Sequence, residues 1–530
     1  MSAFIPVLAY ILLFAYLPLA YVTARTVSRE KLRNATFVRT VSKDYLRTLP
    51  ICALVSLPVL ALPSTTPYYA ATLHLLFAIP LLLEMGHIYF FKTRVGLNTF
   101  YSLFVSNVRE TKEYVEQNVS RAQRLLVAVV WLLPPVALWF LPIPHWSSRA
   151  AQAIGCAAAV LAALPLFVDL CKRPERRKDA YYMNPFTNLI CNYIRFKTQY
   201  RALRERITRH AAPPFQGITS RISPNEPETY VVVIGESANA MHHHYCGYAR
   251  ETNEFTDALG DAMLRFKGVR SQYAQTIPSL EKTITFADDA HPDLVWTKGS
   301  VIDYFHDAGF ETYWLSNQYA LDDTALTALA ARADISRCYN YGGMKRFEKA
   351  GLDEGLLPDF RRFIRGGSGK KILFLHLIGS HSAYVNRYPD AFRHFRGQPP
   401  GRELPEAKLQ YLNAYDDSIR YTDWLVAKLV EELGQLGGAS YLMYFSDHGE
   451  DIYDSTDERI LGHSQLANEP MTSVPLMLWT SPRLDELRPD VRSRFRHART
   501  PYALEDLIHT IIDVSSLSSA DYEDAKSILA

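Results

Sequence analysis

Tyr441-Leu442-Met443-Tyr444-Phe445-Ser446-Asp447-His448-Gly449-Glu450 is an apolar and aromatic run that stops at two side chains able to bind metal. Read as a buried strand, it delivers Asp447 and His448 at its C-terminal end, where open α/β sheets place their ligands. An adjacent carboxylate and imidazole there point to a divalent-metal site, with zinc the best fit. The plainer reading is a loop Asp capping the next helix beside a surface His.

Working outward, Tyr230-Val231-Val232-Val233-Ile234 runs into Gly235-Glu236-Ser237 and puts a second carboxylate on a strand tip. Glu236, Asp447 and His448 would supply three ligands from two strand ends. Ile372-Leu373-Phe374-Leu375-His376-Leu377-Ile378-Gly379-Ser380-His381 brings two histidines, and Leu461-Gly462-His463-Ser464 one more. His376 lies within its apolar strand and reads as a core histidine. His242, His243 and His244 are consecutive, cannot converge on one ion, and take a surface or first-turn role.

The missing nucleophile is sought in Ser271-Gln272-Tyr273-Ala274-Gln275-Thr276-Ile277-Pro278-Ser279-Leu280. A hydroxyl just before Ile-Pro-Ser can open a helix whose free N–H groups stabilise an anion. Threonine is a poor nucleophile at neutral pH, but metal coordination lowers the pKa of its hydroxyl, making Thr276 a fourth ligand as well as the attacking group. The alternative is an ordinary threonine N-cap.

These strand ends belong to a C-terminal region, residues 228–530, in which short apolar runs at Tyr230-Ile234, Glu311-Leu315, Ile372-Ile378, Tyr441-Phe445 and Pro475-Trp479 alternate with helical segments such as Gly299-Ala308 and Leu409-Leu433. The alternation predicts an α/β domain with a mostly parallel sheet covered on both faces. Ahead of it, residues 1–175 hold five apolar runs near Phe4-Thr23, Leu46-Leu62, Tyr69-Phe91, Leu125-Leu141 and Ala150-Cys171. A bilayer needs about 20 residues per helical span, so these predict an α-helical membrane domain of five transmembrane helices. The first run lacks a basic start and a small-residue cleavage site and reads as an anchor. Pro134 and Pro135 would kink a soluble helix but are tolerated in a membrane bundle. Residues 176–227 are basic, aromatic and proline-punctuated, an amphipathic juxtamembrane linker, with Tyr193-Arg209 read as a helix on the bilayer surface. Asn98-Gln123 reads as an interfacial helix pair in which Asn107 to Thr111 can meet a lipid head group.

Charge does not identify a partner: the formal net charge is +2, which gives no sign of nucleic acid. Basic loops at Arg25-Arg47, Lys92-Arg124 and Lys172-Lys178 would put the C-terminal domain in the cytoplasm by the positive-inside rule, but long domains translocate largely regardless of charge. Cys52 and Cys156 fall in apolar stretches, and Cys171, Cys191, Cys246 and Cys338 lie outside them at no metal-ligand spacing; the count allows one or two disulfides in an oxidising compartment, with the pairing open.

Taken together, Gly235-Glu236-Ser237, Gly247-Tyr248-Ala249-Arg250-Glu251-Thr252-Asn253, Gln275-Thr276-Ile277-Pro278-Ser279, His376-Leu377-Ile378-Gly379-Ser380-His381 with Arg387-Tyr388-Pro389, Ser446-Asp447-His448-Gly449-Glu450 and Val474-Pro475-Leu476-Met477-Leu478-Trp479 stand in the order seen in bacterial phosphoethanolamine transferases. The chain resembles that family over nearly its whole length, and most of all the branch acting on the lipopolysaccharide core. The resemblance implies a sulfatase or alkaline-phosphatase-like domain in the periplasm, tethered to the bacterial inner membrane. It implies one zinc, or two, held by Glu236, Thr276, Asp447 and His448, with His381 and His463 beside it to move a proton or steady the phosphate. It also implies substrate contacts from Asn107, Thr111 and Asn317. The implied activity of the monomer is transfer of phosphoethanolamine from phosphatidylethanolamine to lipopolysaccharide, on a core heptose or lipid A, through a phosphoethanolamine-threonine intermediate, releasing diacylglycerol.

The sequence also departs from the family pattern. Cysteines that often flank the nucleophile in lipid A-modifying members are absent near Thr276, which favours the core-sugar branch. Val115 stands where a glutamate is often found, leaving Glu113 or Glu116 as substitutes. A sulfatase would need Cys or Ser at position 276 and an Arg at 280, where the chain has Thr276 and Leu280. The other rivals are a zinc phosphodiesterase or phosphatase that hydrolyses the lipid head group, and an inactive membrane sensor that kept the fold.

Overall fold

Each of the N-terminal apolar runs is helical in the computed structural model: α1 (Ile5–Thr26), α2 (Ala35–Ala61), α3 (Thr66–Phe91), α4 (Arg121–Trp139) and α5 (Arg149–Cys171). The structure describes residues 4–26, 35–91, 94–96, 99, 115, 119–140, 143–171, 185, 188–190, 192–198, 213–319, 325–340, 351–367, 369–456 and 467–530. They fall into two units, one ending at residue 198 and one beginning at 213.

In the first unit α4 runs unbroken through Pro134 and Pro135 and starts with a capping box, in which Ser120 accepts from the Gln123 amide while the Gln123 side chain accepts from the Ser120 N–H. Among the described residues, Pro63–Tyr89 and Arg121–Trp139 are long and apolar enough to cross a bilayer, and Thr48–Ala61 and Arg149–Pro165 are shorter apolar helical stretches. Residues 192–198 are helical, while the rest of the helix expected over Tyr193–Arg209 and most of the expected interfacial pair after α3 lie outside the described residues.

The second unit is built on strands β1 (Thr219–Ser220), β2 (Glu228–Gly235), β3 (Met263–Arg270), β4 (Glu311–Tyr319), β5 (Ile335–Asn340), β6 (Lys370–His376), β7 (Ala439–Ser446), β8 (Ser473–Thr480), β9 (Tyr502–Ala503) and β10 (Leu517–Ser518). Eight of them form one sheet in the order β5-β4-β6-β2-β7-β8-β3-β9, and β1 pairs with β10 apart from it. The strands from β5 to β7 are parallel, but β8 runs antiparallel to both β7 and β3. The expected parallel run is therefore interrupted at Pro475–Trp479, and the sheet is mixed. Strand direction leaves no trace in composition, because a buried apolar strand reads alike either way. The double inversion matters for the site: β3 points the same way as β2 and β7, so the chain leaving Arg270 emerges at the edge where their C-termini lie.

Every residue of β2 and β7 is buried, which explains their unbroken apolar sequence. Tyr230, Val232 and Ile234 pack on one face, in the layer containing α7 (Val301–Asp307) and α10 (Leu507–Val514); Val231 and Val233 pack on the other, against α8 (Leu357–Arg365) and α9 (Glu406–Leu433). Burying each such side chain contributes about 1.5–3 kcal/mol, so the central strands and the edge they present are the least deformable part of the unit.

Candidate metal centre

Gly235 and Ser446 are register partners at the ends of β2 and β7, so Glu236 and the pair Asp447-His448 leave the sheet side by side. All three are buried, at 1%, 0% and 1% exposure, and one ligand atom from each lies within 4.8 Å of the others. His448 Nε2 stands 3.3 Å from Glu236 Oε1 and 3.5 Å from Asp447 Oδ2.

The surrounding hydrogen bonds orient these groups. Asp447 Oδ1 accepts from the Ser237 amide at 3.1 Å and the His448 amide at 2.7 Å, whereas Oδ2 is buried with no hydrogen-bond partner. A buried carboxylate oxygen without a donor is costly unless a cation faces it. The His448 Nδ1 lies 2.9 Å from the Gly449 carbonyl, which fixes Nδ1–H and leaves Nε2 as the ligating nitrogen. Glu236 Oε1 accepts from Ser237 Oγ at 2.7 Å, and Oε2 from Gln318 Nε2 at 2.9 Å. Burial and the Glu236 charge push the Asp447 carboxyl up to about 7. Burial opposes a charge on His448, but Asp447 and Glu236 outweigh it and raise the imidazole to about 10. Glu236 is held well below the usual range: the His448 and His381 imidazoles overcome its burial. Asp447 and His448 therefore hold protons near neutral pH, and a divalent ion binding there would displace them. The donor set, one imidazole and two carboxylates with an orphaned oxygen, fits zinc with a position left for a fourth ligand.

Thr276 supplies a hydroxyl there. It is the first residue of α6 (Thr276–Thr283), with Gln275 as the cap, so the simple N-cap reading does not hold. Its Oγ1 donates to Glu236 Oε2 at 3.1 Å and lies 3.4 Å from His448 Nε2. The helix is anchored from below: Ser279 Oγ donates to the Asp447 carbonyl at 2.6 Å and touches Ser271 Oγ at 3.1 Å. No side chain caps α6, and Pro278 has no N–H, so the first-turn amides of Thr276 and Ile277 suit an anion.

His381 stands on the loop after β6, half-buried, with its carbonyl held by Arg387 Nε at 2.9 Å and its Nδ1 buried without a hydrogen bond. That loop rests on the metal ligand, since the Ser380 amide donates to the Glu236 carbonyl at 2.9 Å. Asn317 is 2% exposed and gives its amide to the Gly351 carbonyl and Asp353 Oδ1, both at 2.8 Å. Its neighbour Gln318 is the one that reaches Glu236. His463, Asn107 and Thr111 lie outside the described residues.

The sequence reading missed Ser237, Gln318 and Ser279. Gln318 directly follows Asn317 at a strand end, and Ser279 repeats the helical spacing from Thr276, so both carried a signal. Ser237 carried none. The histidine run also needs correction. Only His244 is exposed; His242 is buried between Asp416 (2.7 Å) and Asp454 (3.0 Å), and His243 is buried against Asn253 (3.0 Å). Consecutive side chains on short 3₁₀ turns point different ways, and two of these found partners inside. His376 is buried edge-on to Trp314, with its imidazole pushed down to about 4 by burial, as a core histidine should be. The one or two disulfides that the sequence allows do not form among the described cysteines: Cys52, Cys156 and Cys246 are free thiols, and the Cys338 thiol donates to the Gln318 carbonyl at 3.0 Å.

The phosphoethanolamine transferase EptC of Escherichia coli is 28% identical over 496 residues, covering 89% of this chain and 84% of that protein. Phosphoethanolamine transferase CptA of Salmonella typhimurium matches to the same extent, 28% over 496 residues, 89% and 84%. Among solved structures, the C-terminal periplasmic domain of E. coli EptC in complex with zinc is 31% identical with a TM-score of 0.55, covering 60% of this chain and 90% of that one. The integral membrane lipooligosaccharide phosphoethanolamine transferase A of Neisseria meningitidis shares the fold at 18% identity and a TM-score of 0.65, covering 99% and 98%. Residues 228–516, more than half of the 530, match the sulfatase family, and the chain belongs to it.

Proposed function

We propose that this chain is a zinc-dependent phosphoethanolamine transferase of the bacterial inner membrane, taking its donor from phosphatidylethanolamine and modifying lipopolysaccharide on a core heptose or on lipid A. The observation that carries the reading is the Thr276 hydroxyl, 3.1 Å from Glu236 and 3.4 Å from His448, at the mouth of a buried ligand set with an orphaned carboxylate oxygen. The resemblance to named phosphoethanolamine transferases along 89% of the chain supports the choice of substrate. On this reading α1 to α5 are five membrane spans, residues 176–227 link them to the catalytic domain, and that domain faces the periplasm as part of a monomer.

Glu236, Asp447 and His448 would hold the zinc with Thr276, and the ion would lower the pKa of the threonine hydroxyl and neutralise phosphate charge. The Thr276 hydroxyl gives its proton to His381 or His463 as Oγ forms a bond to phosphorus, while the bond from phosphorus to the diacylglycerol oxygen breaks. The departing oxygen takes a proton from His381 or His463 and leaves as diacylglycerol, and phosphoethanolamine stays esterified to Thr276. An acceptor hydroxyl or phosphate then gives its proton to the same histidine and displaces Thr276, whose departing oxygen takes that proton from the histidine. The α6 amides steady the phosphoryl oxygens. Asn107 and Thr111 serve the donor head group.

The test is mass spectrometry of lipopolysaccharide from cells carrying the wild type or Thr276→Ala. A phosphoethanolamine increment on core or lipid A in the first and not in the second is expected. Release of the head group to water with no mass gain on any glycolipid would overturn the transferase reading.

A further inference from the structure

Ser237 has a left-handed backbone, φ 58°, unusual for a residue with a side chain. That conformation lets one residue serve both carboxylates of the metal centre: its Oγ donates to Glu236 Oε1 at 2.7 Å and its N–H to Asp447 Oδ1 at 3.1 Å. A strained residue keeps such a conformation only where its surroundings enforce it.

The enforcement comes from helix α9, 178 residues along the chain. The Tyr415 hydroxyl donates to the Ser237 carbonyl at 2.8 Å and accepts from the Asn239 amide at 2.9 Å. Its single donor and an acceptor site are thus both used within the turn after β2, and the residue is fully buried. Asn239 in turn donates through its side chain to the Glu450 carbonyl at 3.0 Å, tying that turn to the segment that follows Asp447 and His448. Adjacent residues of α9 hold the same neighbourhood: Asp416 pairs with His242 at 2.7 Å, and Ser418 Oγ donates to Ser380 Oγ at 2.9 Å on the His381 loop.

We propose that Tyr415 is a positioning residue of the metal centre, its hydroxyl locking the turn in which Ser237 orients the Glu236 and Asp447 carboxylates toward one ion. The inference rests on the metal reading above. It gives Tyr415 no contact with substrate and no proton to transfer.

Tyr415→Phe removes one oxygen and keeps the ring packing against His242 and Tyr384. In the full-length protein, zinc affinity measured by chelator competition should weaken about 10- to 100-fold, and cobalt bound in place of zinc should show an altered visible spectrum. Tyr502→Phe is the matched control, since that buried hydroxyl also makes two hydrogen bonds, to Thr510 and the Lys526 carbonyl, and neither leads to a ligand. It should leave zinc affinity and the cobalt spectrum unchanged. Equal zinc affinity in wild type and Tyr415→Phe, or an equal loss in Tyr502→Phe, would overturn the inference. Wild-type protein that binds no zinc would overturn the metal reading itself. Hydrogen exchange on the wild type probes the same turn without any substitution: zinc should slow exchange across 237–239, and an unchanged rate would count against the proposal.

Discussion

Asp447 and Ser237 are joined by one hydrogen bond of 3.1 Å from the Ser237 amide to Oδ1, which leaves Oδ2 buried, without a hydrogen bond and 3.5 Å from His448 Nε2. The carboxylate is thus turned so that one oxygen belongs to the protein and the other to whatever cation arrives.

Zinc binding should therefore displace protons. Burial and Glu236 raise Asp447 to about 7, and the paired carboxylates raise His448 to about 10, so near pH 7 the apo site carries protons that the ion must expel. Titration calorimetry in buffers of different ionisation enthalpy should register the release, and affinity should fall as pH is lowered. Affinity independent of pH between about 6 and 9 would contradict this ligand set.

Thr276→Ala should lower transfer by about 10³-fold or more while zinc stays bound, because the other three ligands remain. Thr276→Ser should retain part of the activity. Intact-protein mass spectrometry after mixing with phosphatidylethanolamine should find a phosphoethanolamine adduct on the wild type and none on Thr276→Ala.

Gly379 has φ +49°, and a Cβ there would fall 2.9 Å from the backbone N and O of Glu236. Gly379→Ala adds about 1–2 kcal/mol of left-handed backbone strain and forces the His381 loop off Glu236. Lower thermal stability and weaker zinc binding together are expected. A change in stability alone would mean the loop and the ligand move independently.

His242 and His243 should bound the pH range of stability from opposite sides. Burial opposes the His242 charge, but Asp454 and Asp416 raise it to about 10, so its contribution is full below the unfolded value of about 6.5 and is lost as pH rises towards 10. Burial and the neighbouring His242 push His243 down to about 3, so it stabilises as the neutral form and its contribution is lost as pH falls from about 6.5 towards 3. Urea midpoints against pH should show both limbs, His242→Gln flattening the alkaline one and His243→Gln the acidic one. His242→Ala removes the buried cation shared by Asp416 and Asp454 and leaves Asp416 to Arg250, so it should lose about 3 kcal/mol.

Local sequence by itself determined the apolar helices, the buried strands Tyr230–Ile234 and Tyr441–Phe445, and the placing of Glu236, Asp447 and His448 at strand ends, because apolar periodicity and the polar residue that ends a run are local properties. Tertiary structure alone decided the direction of β8, which reverses β3 and so brings Thr276 to the edge where Glu236 and His448 wait. It also decided that Ser237 would turn left-handed under Tyr415, and that two of three consecutive histidines would be buried. Those outcomes depend on groups far apart in the chain meeting in one packed arrangement, and no window of neighbouring residues records which distant partner will supply the hydrogen bond.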